Sequence, residues 1–385
     1  MASIPVLDLS WANDPDRKLE LLGQLRAALF DVGFLYIVNH GVDRKIVEAL
    51  TDRLPRLFAL PDEQKAALSK LNSPHFLGYS GFAEETTLGR QDLREQFDFA
   101  TELPVVYKET DDSLTTEGGH IQRDFSKLYW RLRGPNQWPL EHSIPGFRTA
   151  FTDYHDAVQK LSYRFVHLVE EAVGINVGTF DHFFGLTDPH QAPTEDKSQV
   201  RNFLPPQHRI KLLRYPPSQD DVSAGQGVGA HKDSSGWLTF LYQVGEEPGL
   251  EVMSSSGSWL PAHPIPHSFV VNFGNAFDAA TEGAVKATIH RVISPGPNSN
   301  VRYSIPFFQG LPLDMTVSEV RSFIPDDVKR RRQRSGTWHD DISSFLDPRW
   351  DSLGESQLRK WIRSHRDVGM KWYGQEVVNY YEATE

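Results

Sequence analysis

His231 and Asp233 stand two residues apart in GAHKDSSGWLTFLYQV, and a third residue with ligand chemistry, His290, lies in KATIHRVIS. On an extended strand residues i and i+2 project from one face, so His231 and Asp233 can reach a common ion. His290, on a separate strand-like run, can complete a set of two imidazoles and one carboxylate. Such a set leaves three positions open on an octahedral ion, the arrangement suited to non-haem iron(II) and dioxygen chemistry. The pair alone is a weak signal, because the chain has 15 histidines and most strand histidines are simply solvated. Zinc accepts the same three ligands, which keeps a zinc hydrolase open, although no motif places a further general base. Arg302 and Ser304 repeat the i, i+2 spacing in RYSIPFF. A guanidinium fork beside a hydroxyl can clamp a carboxylate, and a surface arginine next to a strand serine is the plainer alternative.

These residues need strands to hold them, and the second half of the chain supplies strand-like runs separated by turns: RIKLLRYPP, VGAHKDSSGWLTFLYQV, GLEVMSS, SFVVNFG, ATIHRVIS and RYSIPFF. Several strands at short spacing indicate a sandwich or barrel. Ahead of them, Asp14-Pro15 can cap a helix with apolar Leu19, Leu22, Leu25, Ala28 and Leu29. GFLYIVNHG then reads as a buried strand, and a second helix runs from about Asp43 towards Phe58, kinked or ended by Pro55. Val158, Leu161, Phe165, Leu168, Val169 and Ala172 recur at helical spacing between Asp153 and Val173, with Gly174 to close the helix. Beyond Pro325 charge dominates, and Leu358, Trp361 and Ile362 suggest a closing helix that covers the pocket mouth.

Composition narrows the functions. Lys plus Arg number 40 against 51 for Asp plus Glu, and a net charge of -11 repels a phosphate backbone, so nucleic acid is not expected as a partner. With no cysteine, disulfides, iron–sulfur clusters and a thiol nucleophile are excluded, and any metal must sit on His, Asp or Glu. No stretch of about 18 apolar residues predicts a membrane span, and the N-terminal MASIPVLDLSWANDPDRK has no signal-like core, which predicts a cytoplasmic protein. The basic run Lys329–Arg334 follows Pro325-Asp326-Asp327 and suits a helix with acidic start and basic end better than a targeting signal. PPSQDDVSAGQGVG is either a mobile lid or an ordinary surface loop. His40, His263 and His267 lack a carboxylate at matching spacing and read as solvated or capping residues.

The ordered series LLRYPP, His231-Lys-Asp233, GWLTFLYQ, GLEV, VNFGN, IHRV and RYSIPFF resembles the isopenicillin N synthase-like branch of the iron(II) and 2-oxoglutarate dioxygenases, and IPVLDLS and GFLYIVNHGV resemble its N-terminal part. The likeness runs over about residues 4 to 310. It implies a mainly β fold with α elements: a double-stranded β-helix, or jelly-roll, core at 151-310, a mixed N-terminal region at 1-150 and a C-terminal helical extension at 311-385. It also implies Fe(II) on His231, Asp233 and His290, with 2-oxoglutarate held at its far carboxylate by Arg302 and Ser304 and approached by Tyr215. Dioxygen would be the second co-substrate, and ascorbate is expected to stimulate turnover.

Departures from the family pattern are Gly274-Asn275, where many members have Gly-Asp, and Ala287, where a serine is common. Phe76 stands where the penicillin-forming oxidase has the arginine that holds its tripeptide, which argues against a tripeptide here. Phe76, Tyr79, Phe82 and Phe308 are the candidate walls of an apolar substrate pocket, although each could be an ordinary core aromatic. The expected substrate is a small organic molecule, with a secondary metabolite in view, oxidised by hydroxylation, desaturation or ring rearrangement. The rival readings are a same-fold oxidase without 2-oxoglutarate, whose Arg302 and Ser304 bind the substrate's own carboxylate, the zinc hydrolase, and a non-catalytic binding module.

Overall fold

Alternation decides which way each strand faces. Along RIKLLRY, Ile210 and Leu212 turn towards helices while Arg209, Lys211, Leu213 and Tyr215 turn the other way, and the same division recurs on every long strand around it. The computed structural model describes residues 3–87, 89–110, 123–186, 203–218, 225–233, 236–331 and 352–383. Its strands are β1 (Val6–Asp8), β2 (Phe34–Val38), β3 (Gly78–Ser80), β4 (Thr86–Thr87), β5 (Arg90–Gln91), β6 (Glu95–Ala100) and β7 (Arg209–Tyr215). They continue with β8 (Gln226–His231), β9 (Leu238–Val244), β10 (Leu250–Met253), β11 (Trp259–Pro261), β12 (Phe269–Phe273), β13 (His290–Ile293) and β14 (Arg302–Gln309).

The major sheet has the order β1-β2-β12-β9-β14-β7-β6-β3, and the minor one β11-β10-β13-β8. Strands from the first 150 residues therefore flank those of the jelly roll in one sheet. Between the two sheets lies a core of Phe34, Tyr36, Leu213, Tyr215, Val228, Val252 and Val292. The opposite face of the major sheet is covered by the long helix Phe147–Val173, whose Val158, Leu161 and Phe165 are buried, with Phe165 edge-on to Phe240 at 5.6 Å. Each such side chain stabilises the fold by about 1.5–3 kcal/mol.

The long helix starts two turns earlier than its apolar spacing alone indicates and ends at Gly174, whose φ of 81° is the left-handed cap conformation. The first helix, Lys18–Ala27, buries Leu21 and Leu25, and the stripe continues through Ala28 and Leu29 of the following turn. Leu19, expected on that stripe, is 79 % exposed, because it lies off the i, i+4, i+7, i+8 row that faces the long helix. Asp43 caps the helix Arg44–Thr51 by accepting from the Lys45 amide, and Pro55 opens the next helix, Leu54–Phe58, at a first-turn position that needs no N–H. Lys329 closes the short helix Asp326–Lys329, while Arg332–Arg334 and most of the loop before β8 lie outside the described residues. Among the described residues no helix is long and apolar enough to cross a membrane.

The helices Leu353–Ser364, Arg366–Trp372 and Gln375–Glu382 form a second core with Tyr129, Trp130 and Phe76. Phe76 is fully buried there, stacked at 5.9 Å on Trp361 and 5.7 Å on Tyr373. Its backbone φ of 55° is unusual for a side-chain-bearing residue and is held by this packing. The residue expected to wall a substrate pocket thus anchors the C-terminal helices. Phe76→Ala should lower unfolding stability by about 3–5 kcal/mol, read from denaturant melts, and leave 2-oxoglutarate affinity of the folded fraction intact. A stable variant with altered ligand binding would reverse that assignment.

Candidate metal and co-substrate site

His231 ends β8 and pairs across the minor sheet with His290, the first residue of β13. The two rings lie 4.3 Å apart. Each Nδ1 faces a backbone carbonyl, His231 that of Gly229 at 2.8 Å and His290 that of Thr288 at 3.1 Å. A carbonyl only accepts, so each Nδ1 carries the proton and each Nε2 keeps its lone pair for a cation. Both Nε2 atoms point at Asp233 Oδ1, at 3.8 and 3.7 Å. The other oxygen, Oδ2, accepts from Thr239 Oγ1 and Asn272 Nδ2, both at 2.7 Å. One carboxylate oxygen is therefore engaged by the major sheet and the other is turned to the histidines. The donor atoms of the three residues lie within 4.8 Å of one another.

Electrostatics agree with this division. Burial pushes the Asp233 carboxyl up, but His290, His231 and the bonds from Asn272 and Thr239 outweigh it and hold the group at about 2. Burial and the neighbouring His290 bring His231 down to about 3. At neutral pH the site presents a carboxylate and an uncharged imidazole, the protonation states that metal binding requires. The backbone is fixed as well, since Asn275 N–H donates to the Asp233 carbonyl at 2.8 Å. This bond uses the main chain, so the Asn275 departure from the family's Gly-Asp leaves it intact. The preceding Gly274 is required: a Cβ there would lie 1.9 Å from the Gly236 carbonyl oxygen.

Arg302 and Ser304 sit on the metal-facing side of β14, and Arg302 pairs with Tyr215 of β7. The guanidinium is 1 % exposed and lies 5.0 Å from the centre of the Tyr215 ring. Nη2 donates to Gln243 Oε1 at 3.0 Å, while Nε and Nη1 have no hydrogen-bond partner among the described residues. A buried guanidinium with orphan donors and no carboxylate beside it is costly unless an anion arrives, and a carboxylate has the acceptors those donors need. Gly249, at φ 145°, lets the chain cross this residue, because a Cβ there would meet Arg302 Cδ at 3.3 Å and the Ile293 carbonyl at 2.7 Å. The buried donors and the oxygen–nitrogen ligand set both fit Fe(II) with 2-oxoglutarate.

Of the aromatic wall candidates, Phe308 alone shares the metal-facing side, half-buried between Thr239 and Arg209 on the flanking strands. Tyr79 turns to the helix-covered side, packing on Phe97 at 4.8 Å and donating to Glu95 Oε2 at 2.6 Å. Phe82 is 52 % exposed on the surface. His40 is buried against His267 and Phe269 and accepts from the Val42 amide, a capping role without solvation. The supporting residues Thr239, Asn272 and Gln243 escape a motif search, yet each is a polar side chain inside an apolar strand, and buried polar groups need partners.

Residues 199–310 match the family described as the 2OG-Fe(II) oxygenase superfamily, and residues 4–141 match the non-haem dioxygenase in morphine synthesis N-terminal family. The 2-oxoglutarate-dependent dioxygenase frbJ of Dothideomycetidae sp. is 38 % identical over 96 % of this chain and 92 % of its own length. The chain belongs to the 2OG-Fe(II) oxygenase superfamily. A 2-oxoglutarate-dependent dioxygenase of Gibberella zeae is 30 % identical over 96 % of this chain and 91 % of its own. Among solved structures, a 2OG-Fe(II) oxygenase family protein of Caulobacter crescentus superposes with a TM-score of 0.66 at 21 % identity, covering 94 % of this chain and 99 % of that one. The dioxygenase for auxin oxidation 1 of Arabidopsis thaliana, in complex with 2-oxoglutarate, does so at 0.55 and 21 %, covering 81 % and 94 %. The protein is thus a non-haem iron(II) dioxygenase using 2-oxoglutarate and dioxygen, built on the expected jelly roll. The oxidase without co-substrate, the zinc hydrolase and the inert module are not favoured.

In this superfamily member, Thr239→Val keeps the side-chain shape and removes one bond to Asp233. Anaerobic titration should find Fe(II) binding weakened by about 10–100-fold with little change in melting. Unchanged affinity would mean that Thr239 does not orient the carboxylate.

Proposed function

We propose that His231, Asp233 and His290 hold Fe(II), that Arg302 and Ser304 with Tyr215 hold the far carboxylate of 2-oxoglutarate, and that the enzyme oxidises a C–H bond of a small organic molecule, a secondary metabolite. The observation that carries this reading is the pairing of two incomplete sites: a ligand triad with its lone pairs converging, and a buried guanidinium with unfilled donors. When bound, the iron activates dioxygen at the expense of 2-oxoglutarate, so that 2-oxoglutarate, dioxygen and R–H become succinate, carbon dioxide and R–OH; desaturation or ring rearrangement draws on the same oxidising equivalents.

The residues contribute position. Thr239 and Asn272 keep Asp233 Oδ1 turned to the metal, and the Gly229 and Thr288 carbonyls fix the imidazole tautomers. Gln243 aims Arg302. Thr239 and Gln243 are four residues apart on β9, so the metal and carboxylate ends are spaced by about 13 Å of strand and bridged by inward-leaning side chains. We read the regions 1-150, 151-310 and 311-385 as one catalytic unit and assign it to the cytoplasm.

Purified protein with Fe(II), ascorbate and 2-oxoglutarate under air should release succinate, more so with one member of a panel of small organic compounds. His231→Ala should abolish release, and Arg302→Ala should raise the 2-oxoglutarate KM by about 30-fold or more. Absence of succinate from wild type despite tight iron binding would move the assignment to the oxidase that needs no co-substrate.

A further inference from the structure

The face that carries the metal site has a second cationic end. On the major sheet Thr239, which holds Asp233, pairs with Phe308, and Phe308 pairs with Arg209. Arg209 is thus two strands, about 10 Å, from Thr239 along the sheet, and Lys211 is its neighbour on the same face. Trp361, from the helix Leu353–Ser364, lies over this end. Its ring is approached by Arg209 at 4.5 Å, Lys211 at 5.6 Å, Lys360 at 5.7 Å and Lys70 at 5.9 Å.

The acidic groups here are Glu85 and Asp98, engaged chiefly by Lys70, Arg94 and Gln96, while Asp98 Oδ1 accepts no hydrogen bond among the described residues. Glu85 accepts from Lys70 at 2.9 Å, Gln96 at 2.7 Å and Arg94 at 2.8 Å, and Asp98 accepts from Gln96 at 2.6 Å and pairs with Lys70 at 2.8 Å. Lys211 is left at 3.6 Å from Glu85 and 3.7 Å from Asp98. The Arg209 guanidinium spends its donors on the carbonyls of Phe76, His75 and Leu132. Lys360 has no hydrogen bond or ion pair among the described residues, only the Trp361 ring. Its side chain is open to solvent on one side, yet desolvation by surrounding protein, with repulsion from Lys211 and Arg209, brings its pKa down to about 8, against the pull of Asp233 and Glu85. Lys360 and Lys211 converge on the Trp361 ring, at the end of the sheet face that Phe308 links to Thr239.

We propose that Lys360 and Lys211 bind a carboxylate of the molecule being oxidised, so that the substrate is a small organic acid held by its acid end, with its apolar body along Phe308 and Pro306 towards the metal. This deepens the dioxygenase reading and rests on it. The Arg302 clamp is a separate anion site at the other end of β14, so co-substrate and substrate acids do not compete for one cation.

The test is calorimetric titration of the anaerobic Fe(II) enzyme with 2-oxoglutarate already saturating, using phenylacetate, 4-phenylbutyrate and N-acetylphenylalaninate, each against its neutral carboxamide. Wild type should bind at least one carboxylate about tenfold or more tightly than its amide. Lys360→Met should bring the preference to within about threefold, Lys211→Met should reduce it, and Lys360→Arg should keep it. Equal binding of acid and amide, no binding of any acid, or a preference that survives Lys360→Met would overturn the proposal. Failure of the underlying reading looks different: 2-oxoglutarate itself would then give no binding in the preceding titration.

Discussion

The Asp233 carboxylate is the point at which the two sheets are chemically joined. One oxygen accepts from Thr239 on β9 and Asn272 on β12, and the other faces histidines from β8 and β13 of the opposite sheet. A buried carboxylate without partners is strongly unfavourable, and two hydrogen bonds on one side do not compensate it fully. The remaining half of its capacity is offered to a cation. The spacing of the sheets, the closed histidine tautomers and the main-chain bond from Asn275 all serve to keep that half pointed into the space between the sheets.

The same reasoning extends along β14 and β7. Charges inside a jelly roll are tolerated where each has either a fixed partner or an expected guest. Lys70, Glu85, Asp98 and Arg94 pair with one another, which ties β6 and the chain before it to the C-terminal helices through His365, 2.7 Å from Glu85. Arg302 is buried with unfilled donors, and Lys360 is exposed on the Trp361 ring without an ion pair among the described residues. The contrast between saturated and unsaturated charges on one face separates what holds the fold from what is left for ligands.

Much of this was legible in the chain because strand geometry converts i, i+2 spacing into a shared face. His231 with Asp233 and Arg302 with Ser304 could be paired on paper, and the strand runs around them appear as β7 to β10 and β12 to β14, with only the short β11 unforeseen among them. The aromatic residues carried no such information. Phe76, Tyr79 and Phe82 lie within seven positions of one another, yet one is in a core, one faces the helices and one faces solvent, since irregular chain between short strands has no period to follow. Phe308, on a regular strand, could be oriented from Arg302 by counting. The cationic end was hidden for a different reason: Arg209 and Lys211 meet Trp361 and Lys360 only after a separation of about 150 residues is closed.

The C-terminal helices illustrate how a peripheral addition can shape a site without touching the metal. Trp361 is stacked on Phe76 and covered by the Arg209 guanidinium, contacts that seat the helix carrying it on the sheet. Lys360 immediately precedes Trp361 on that helix, and its exposed side chain lies beside the ring. The burial that fixes Trp361 is apolar and insensitive to ligand, whereas the charge beside it is not neutralised by the protein. Rigidity and unmet charge at adjacent positions are what a preorganised anion contact requires, because little ordering remains to be done when the ligand arrives.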